Sequence, residues 1–266
     1  MAAGDAPTAA DRPLTGRVAL VTGAAGGIGR RIAARLAVDG AAVAVHHRPD
    51  AREAADAADI TAAITTAGGR AIAVPADVTE PDQVAAMYGL VRDRLGAVDA
   101  LVCNAAADVA ARRNWRELSA ADWSRVLAVN VTGTFLCVQA GYPDLAAGGR
   151  GAVVVMSSVT PLLGRTGNLH YVTSKAALIG LTRALAREAG PDGVRVNALA
   201  PGAIRTPAEA VYGDEAELAA AMAAVQSLRR RGEPADVAAA TSFLLGPDAG
   251  FVTGQLLVVD GGWVMH

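Results

Sequence analysis

Residues 17–36 read RVALVTGAAGGIGRRIAARL, and the fold turns on how they are read. Val18 to Thr22 form a short, mostly apolar run of strand length. From Ile28 the apolar residues recur as Ile28, Ile32 and Leu36, which is one face of a helix. Between the two lies TGAAGGIG, with glycines at 23, 26, 27 and 29. Gly23, Gly27 and Gly29 keep side chains out of a strand-to-helix turn. Backbone N–H groups and the positive end of the helix then face outward, as a pyrophosphate requires. The spacing is G-x-x-x-G-x-G, not the more familiar G-x-G-x-x-G.

Working outward, the same rhythm repeats. Apolar runs at 17–23, 41–47, 71–78, 98–105, 151–158, 194–201 and 255–262 read as seven strands. Ala- and Leu-rich helical patterns separate them. Thr79, ahead of Pro81 and Asp82, is the expected cap of the third helix, and Ser119 caps a helix reaching about Gly141. The strands are nearly continuous apolar runs, so both sheet faces should be covered. Strand–helix–strand alternation then predicts an α/β fold: a single Rossmann-like, doubly wound domain with a seven-stranded parallel sheet and helices on both faces. No composition break divides the chain. The domain is expected to span 17–266, with residues 1–16, carrying two acids and two prolines, as a loose tail.

Composition narrows the function classes. The chain has 266 residues, 52 % apolar, 19 % charged, with a formal net charge of -2. That balance gives no electrostatic pull toward nucleic acid or an anionic membrane. No window approaches the roughly 18 apolar residues of a membrane span, and the N-terminus lacks the features of a signal peptide. Cys103 and Cys137 lie in apolar runs and read as buried, reduced thiols, which fits a cytoplasmic protein. No Cys/His cluster has metal-ligand spacing. The run Arg229-Arg230-Arg231 reads as a solvated helix end.

Strand 2 ends in His46-His47-Arg48 with no carboxylate at its tip. A guanidinium there suits a 2′-phosphate through charge-assisted hydrogen bonds, so NADP(H) is favoured over NAD(H). Asp50 close by, and Gly26 in place of a second cation, weigh on the other side. Polar residues collect at the carboxyl ends of later strands, where open α/β sheets bind ligands. Asn104 ends strand 4, Ser158 ends strand 5 and Asn197 lies in strand 6. Asn130 sits inside a helical pattern, a poor place for Asn unless its side chain is used or the helix is kinked. Tyr171 and Lys175, four apart, share a helix face. Lys175 is the single lysine beside 23 arginines. An ammonium near a phenol favours phenolate, so Tyr171 could exchange a proton as carbonyl and alcohol interconvert. Ser158 would hold the substrate oxygen.

With those residues in place, the chain resembles the short-chain dehydrogenase/reductase family from about Arg17 to Gly262, and its 3-oxoacyl-reductase-like members in particular. TGAAGGIG resembles that family's cofactor loop, Asp77-Val78 its adenine contact, and CNAA (103–106) its N-A-G stretch, with Ala106 where Gly is usual. Asn130, Ser158, Tyr171 and Lys175 match its catalytic tetrad. The Ser lies thirteen residues before the Tyr, which selects Ser158 over Ser157. PGAIRT from Pro201 resembles the segment over the nicotinamide, and GEPADVA and TGQLLVVDGGW its C-terminal landmarks.

The resemblance implies cofactor contacts from Gly23, Gly26, Gly27, Ile28, Gly29, His47, Arg48, Asp77, Val78, Asn104, Ala105 and Ala106. It adds Tyr171, Lys175, Pro201, Gly202, Ile204 and Thr206 on the nicotinamide side. It also implies a proton-relay water held by Asn130, a small carbonyl or alcohol substrate, and a homotetramer or homodimer. Three loops, 105–118, 159–170 and 203–228, should select the substrate. They carry Asp108, Arg112, Arg113, Asn114, Arg165 and His170, with Leu162, Leu163, Leu169, Tyr212 and Trp263 as apolar candidates. The arginines there are solvated loop charges or receivers of an anionic tail. Two rival readings remain: a same-scaffold dehydratase or epimerase, and a non-catalytic dinucleotide sensor.

Overall fold

The computed structural model describes residues 12–107, 113–165, 167–207 and 212–265. Seven strands form one parallel sheet: β1 (Val18–Val21), β2 (Ala42–His47), β3 (Arg70–Pro75), β4 (Ala100–Cys103), β5 (Ala152–Met156), β6 (Arg195–Pro201) and β7 (Leu256–Val259). Their spatial order is β3-β2-β1-β4-β5-β6-β7. The order reverses between β1 and β4, and a crevice opens at that point beyond the strand ends.

Alternation along each strand feeds two cores. Ala19, Val21, Val43, Val45, Val102 and Val154 face α1 (Gly27–Val38), α2 (Ala51–Thr66) and α9 (Pro234–Leu245), meeting Ile32, Leu36, Ile60 and Val237. Leu20, Ala44, Leu101, Val153 and Val155 face α3 (Pro81–Arg94), α5 (Gly133–Ala147) and α7 (Leu169–Ala189), meeting Val84, Met87, Cys137 and Leu178. Burial on both faces is why the strands are apolar at successive positions. The remaining helices are α4 (Ala120–Leu127), the single-turn α6 (Thr160–Leu163) and α8 (Glu215–Val225).

Several local expectations need correction. Glu80, not Thr79, is the residue before α3; Thr79 turns back and donates from Oγ1 to Asp77 Oδ1 at 2.7 Å. The helix capped by Ser119 is not continuous. It breaks into α4, a π-helical turn at Ala128–Thr132 and α5, which runs past Gly141. Ser119 does cap it, in a reciprocal capping box with Asp122. Residues 12–16 are no loose tail: Leu14 is fully buried and its N–H donates to Asp39 O at 2.9 Å. Of the basic run, Arg230 pairs with Asp236 at 2.7 Å, and Arg231 is buried, 3.8 Å from Glu215.

Candidate cofactor cleft and active site

The glycine turn is pinned from three sides. Gly23 and Gly27 sit at φ +62° and +53°, a region that suits glycine. A Cβ on Gly23 would lie 2.8 Å from Ala105 Cα, and one on Gly29 would lie 2.4 Å from Gly23 O. The turn can therefore lie flush against the end of β4 only with glycine at both places. Asn104 Nδ2 donates to Thr22 O and Gly23 O, each at 3.0 Å. Thr22 Oγ1 accepts from the N–H groups of Asn104 and Ala105 at 2.9 and 3.0 Å. Asn104 is thus a clamp on the turn.

His46 is the third tether, where the sequence points to His47. Its Nδ1 accepts the Gly23 N–H at 2.9 Å, so Nε2 carries the proton and donates to Ala76 O at 3.0 Å. Burial holds its pKa down at about 4. His47 points to the other side of the sheet, its Nδ1 2.7 Å from Arg48 O, and lines neither cavity of the cleft. The period-two rule for strands separates the two histidines, and it was the available signal.

Neutral His46 contributes stability that is fully present above the ordinary 6.5 and lost as pH falls toward about 4, at most about 3 kcal/mol. His46→Leu is expected to weaken dinucleotide binding at least tenfold, because Gly23 N–H and Ala76 O lose their partner. It should also flatten the fall in melting temperature across that acid range. Unchanged cofactor affinity in His46→Leu would sink this role.

Two cavities meet at the turn. One, about 460 Å³, is lined by Gly23, Gly26, Gly27, Ile28, Asn104, Ala105, Ala106 and Thr206, with Arg48, Asp50, Arg52, Glu53 and Asp56 at its outer end. The other, about 590 Å³, is lined by His46, Asp77, Val78, Thr79, Ala107 and Val129. Both share Gly23, Arg48, Glu53, Ala105 and Ala106. Gly26 precedes α1 in an extended conformation without a side-chain cap, and a Cβ there would meet nothing. The first-turn N–H groups of α1 therefore open onto the cavity. An elongated cleft with an uncapped helix N-terminus at its middle fits a dinucleotide diphosphate. Ile204 does not join it; its side chain is buried toward Gly232 and lines a separate cavity with Gln226 and Leu228. Pro201 ends β6, and Gly202 must be small because a Cβ would lie 2.6 Å from Asp260 Cβ.

Beyond the cleft, α7 brings the polar residues together. Asn130 is fully buried in the π-helical turn, where the widened backbone accommodates it. Its Oδ1 accepts the Ala107 N–H at 2.7 Å, and its Nδ2 donates to Ser174 Oγ at 2.9 Å. Ser174 Oγ in turn donates to Tyr171 O at 2.7 Å, so the cleft wall and α7 are linked. Ser158 lies close enough to Tyr171 to act on its phenol, and its Oγ accepts the Thr160 N–H at 3.2 Å. Ser157 faces away and bonds Lys175 O at 2.8 Å. Lys175 Nζ lies 5.5 Å from the centre of the Tyr171 ring, so the two share a helix face.

Burial is the largest influence on the Tyr171 phenol, ahead of any neighbouring charge. Burial pushes Tyr171 up to about 12, with Ser158 and Arg165 pulling weakly the other way. The Lys175 ammonium is directed at Met156 O, 2.7 Å away, and burial lowers its own pKa to about 8. Arg165 stacks 5.3 Å over the Tyr212 ring. Arg113 is paired with Asp122 at 2.8 Å and Asn114 caps a short turn. Asp108 and Arg112 lie outside the described residues. Among the described residues, no helix is long and apolar enough to cross a membrane and no cluster of His, Cys, Asp or Glu could hold a metal.

Comparison with known proteins agrees with this architecture. A family profile described as enoyl-(acyl carrier protein) reductase matches residues 23–264. The chain is 41 % identical over 247 residues to cis-4-hydroxycyclohexanecarboxylate dehydrogenase of Sinomonas cyclohexanicum, covering 93 % of this chain and 96 % of the relative. It is 36 % identical to a 3-oxoacyl-[acyl-carrier-protein] reductase of Staphylococcus aureus, covering 93 % and 98 %. A solved blue fluorescent protein from a metagenomic library, in complex with NADPH, superposes with a TM-score of 0.86 at 36 % identity, covering 95 % of this chain and all of that one (100 %). A putative gluconate dehydrogenase from Agrobacterium tumefaciens gives a TM-score of 0.88 at 32 % identity, covering 95 % and 98 %. Sheet order, glycine turn and relatives agree: the chain belongs to the short-chain dehydrogenase/reductase family and is an NAD(P)-dependent oxidoreductase.

Proposed function

We propose that the chain interconverts a carbonyl and a secondary alcohol, with Tyr171 as the general acid and base. The observation that carries this reading is the placement of Ser158 beside the buried Tyr171 phenol, with Lys175 on the same helix face. A nicotinamide dinucleotide bound in the cleft supplies or accepts the hydride. Gly23, Gly26, Gly27, Ile28 and Gly29 receive its diphosphate, Asp77 and Val78 its adenine, and Ala105 and Ala106 its ribose edge. Pro201, Gly202 and Thr206 cover the nicotinamide side. Arg48 takes the 2′-phosphate of NADP(H), in preference to NAD(H).

Ser158 orients the substrate oxygen toward the phenol. With its pKa at about 12, Tyr171 carries its proton throughout the neutral range, which suits delivery to a forming alkoxide. Lys175, with a pKa of about 8, is mostly cationic there; it binds ribose hydroxyls and stabilises the phenolate as it forms. Asn130 holds a relay water through its backbone oxygen, which also accepts Thr134 Oγ1 at 2.8 Å, since its side-chain amide is committed to Ala107 and Ser174.

The substrate is a hydroxy or keto acid. Arg165 lies close enough to the Tyr171 phenol to act on it, stacks on Tyr212, and among the described residues has no carboxylate partner. Exposed Leu162, Leu163 and Leu169 flank it and suit an apolar ring or chain. The relative from Sinomonas acts on a ring bearing a carboxylate across from its hydroxyl. Exposed Phe243, Phe251 and Leu257 are the surface that a dimer or tetramer would cover, and the two buried free cysteines suit a cytoplasmic setting.

Nicotinamide absorbance, followed with oxocyclohexanecarboxylates and their methyl esters, tests both parts. Turnover of the acid with stoichiometric cofactor change is expected. Arg165→Gln should raise KM for the acid about 10- to 100-fold and leave the ester unaffected. Product formed without any net change in cofactor would point to a dehydratase or epimerase and overturn the redox reading.

A further inference from the structure

The tip of β2 carries a feature that the Arg48 assignment leaves unexplained. Glu53, in the first turn of α2, folds back over the strand end and takes Arg48 on two sides. Its Oε1 accepts from Arg48 Nε at 2.8 Å and lies 2.7 Å from Nη2, while its Oε2 accepts the Arg48 backbone N–H at 2.9 Å. Asp50 adds a second carboxylate 3.5 Å from Nη2. Asp50 also caps α2, accepting the Glu53 N–H at 2.9 Å, which holds Glu53 where it can reach the guanidinium. The Arg48–Glu53 pair stands on the wall shared by the two cavities, between the diphosphate end and the adenine end. In a dinucleotide lying along this cleft, the adenosine ribose comes between those ends. Any 2′-phosphate arriving there must take Arg48 from a carboxylate that already holds it.

We propose that Glu53 is the residue that sets the cofactor preference, by competing with the 2′-phosphate for Arg48. The inference rests on the reading of Arg48 given above and adds the opposing group. With Glu53 on Arg48 the guanidinium charge is already offset, and the ribose hydroxyls of NAD(H) meet a carboxylate that can accept from them. With Arg48 turned to the phosphate, Glu53 is left facing a dianion. The measured preference is the difference between these two states, and Glu53 moves it without touching either hydride-transfer atom. Arg52 and Asp56 line the same cavity.

Glu53→Gln removes the charge while keeping an oxygen that can accept the Arg48 N–H. Dissociation constants for NADPH and NADH, read by nicotinamide fluorescence, are expected to separate. NADPH should bind about 5- to 10-fold tighter and NADH should stay level or weaken, a gain limited by the exposure of the pair. Arg48→Ala is the second arm: NADPH should weaken about 10- to 100-fold and NADH little. Glu53→Asp, too short to span to Nε, should shift the ratio the same way as Gln, by less. If Glu53→Gln leaves the NADPH:NADH ratio unchanged while Arg48→Ala collapses it, the competition is wrong and Arg48 acts alone. If Arg48→Ala leaves NADPH binding intact, the underlying assignment of Arg48 fails first. A structural role for Glu53 would weaken both cofactors together and also overturns the proposal.

Discussion

Tyr171→Phe is expected to lower kcat by about 10²- to 10⁴-fold while changing cofactor affinity less than about twofold. The phenol is buried beside Ser158, and it keeps its proton across the neutral range. Phenylalanine fills the same space, so the helix and the cleft should survive and only the transferable proton is lost. Stability is expected to move by about 1 kcal/mol at most, the worth of one hydrogen bond exchanged for an apolar edge. Stopped-flow and steady-state rates with a reactive carbonyl, alongside a cofactor titration, give the two numbers. Full turnover in the variant would remove Tyr171 from the chemistry, and with it the proposed mechanism.

Lys175→Met should do two opposite things: abolish most turnover and raise the melting temperature. Lys175 is 3 % exposed, and burial lowers its pKa from 10.5 to about 8. Below about pH 8 the buried charge costs the fold about 3 kcal/mol, and the cost fades as pH rises from there toward 10.5, where the unfolded chain also loses the proton. The hydrogen bond to Met156 O offsets part of it. A net gain of about 1–2 kcal/mol near neutrality, or roughly 2–8 °C, is therefore expected, shrinking in alkaline buffer. A variant that is both less active and less stable at neutral pH would show that the ammonium supports the fold, contrary to its desolvation. On the proposed mechanism Tyr171 gives away a proton, whereas Lys175 supplies a charge the fold would be more stable without.

Much of this was legible in the chain. The strand–turn–helix at 17–36 announced a parallel doubly wound sheet because both features are local: apolar runs too short for helices and glycines where a backbone must come close. Gly23 and Gly29 are needed for the close approach to Ala105 and Asn104. Ser158, Tyr171 and Lys175 were readable because strand end and helix spacing already fix which side they face. The boundaries were less readable. Asn130 looked like a flaw in a helix, and only packing against Ala107 and Ser174 shows that the backbone widens into a π turn around it.

What the tertiary structure alone decided concerns charge and partners. His46 and His47 are equivalent as letters, yet one tethers the glycine turn and the other faces away, because strand pleat and neighbouring β3 assign their sides. Arg48 reads as a free cation until α2 folds back and lays Glu53 across it. The Tyr171 phenol reads as lowered by a nearby lysine until burial and the Met156 carbonyl are counted. Periodicity and glycine placement act over a few residues and survive in the sequence. Desolvation and ion pairing depend on which segments meet, and that is settled only when the chain closes on itself.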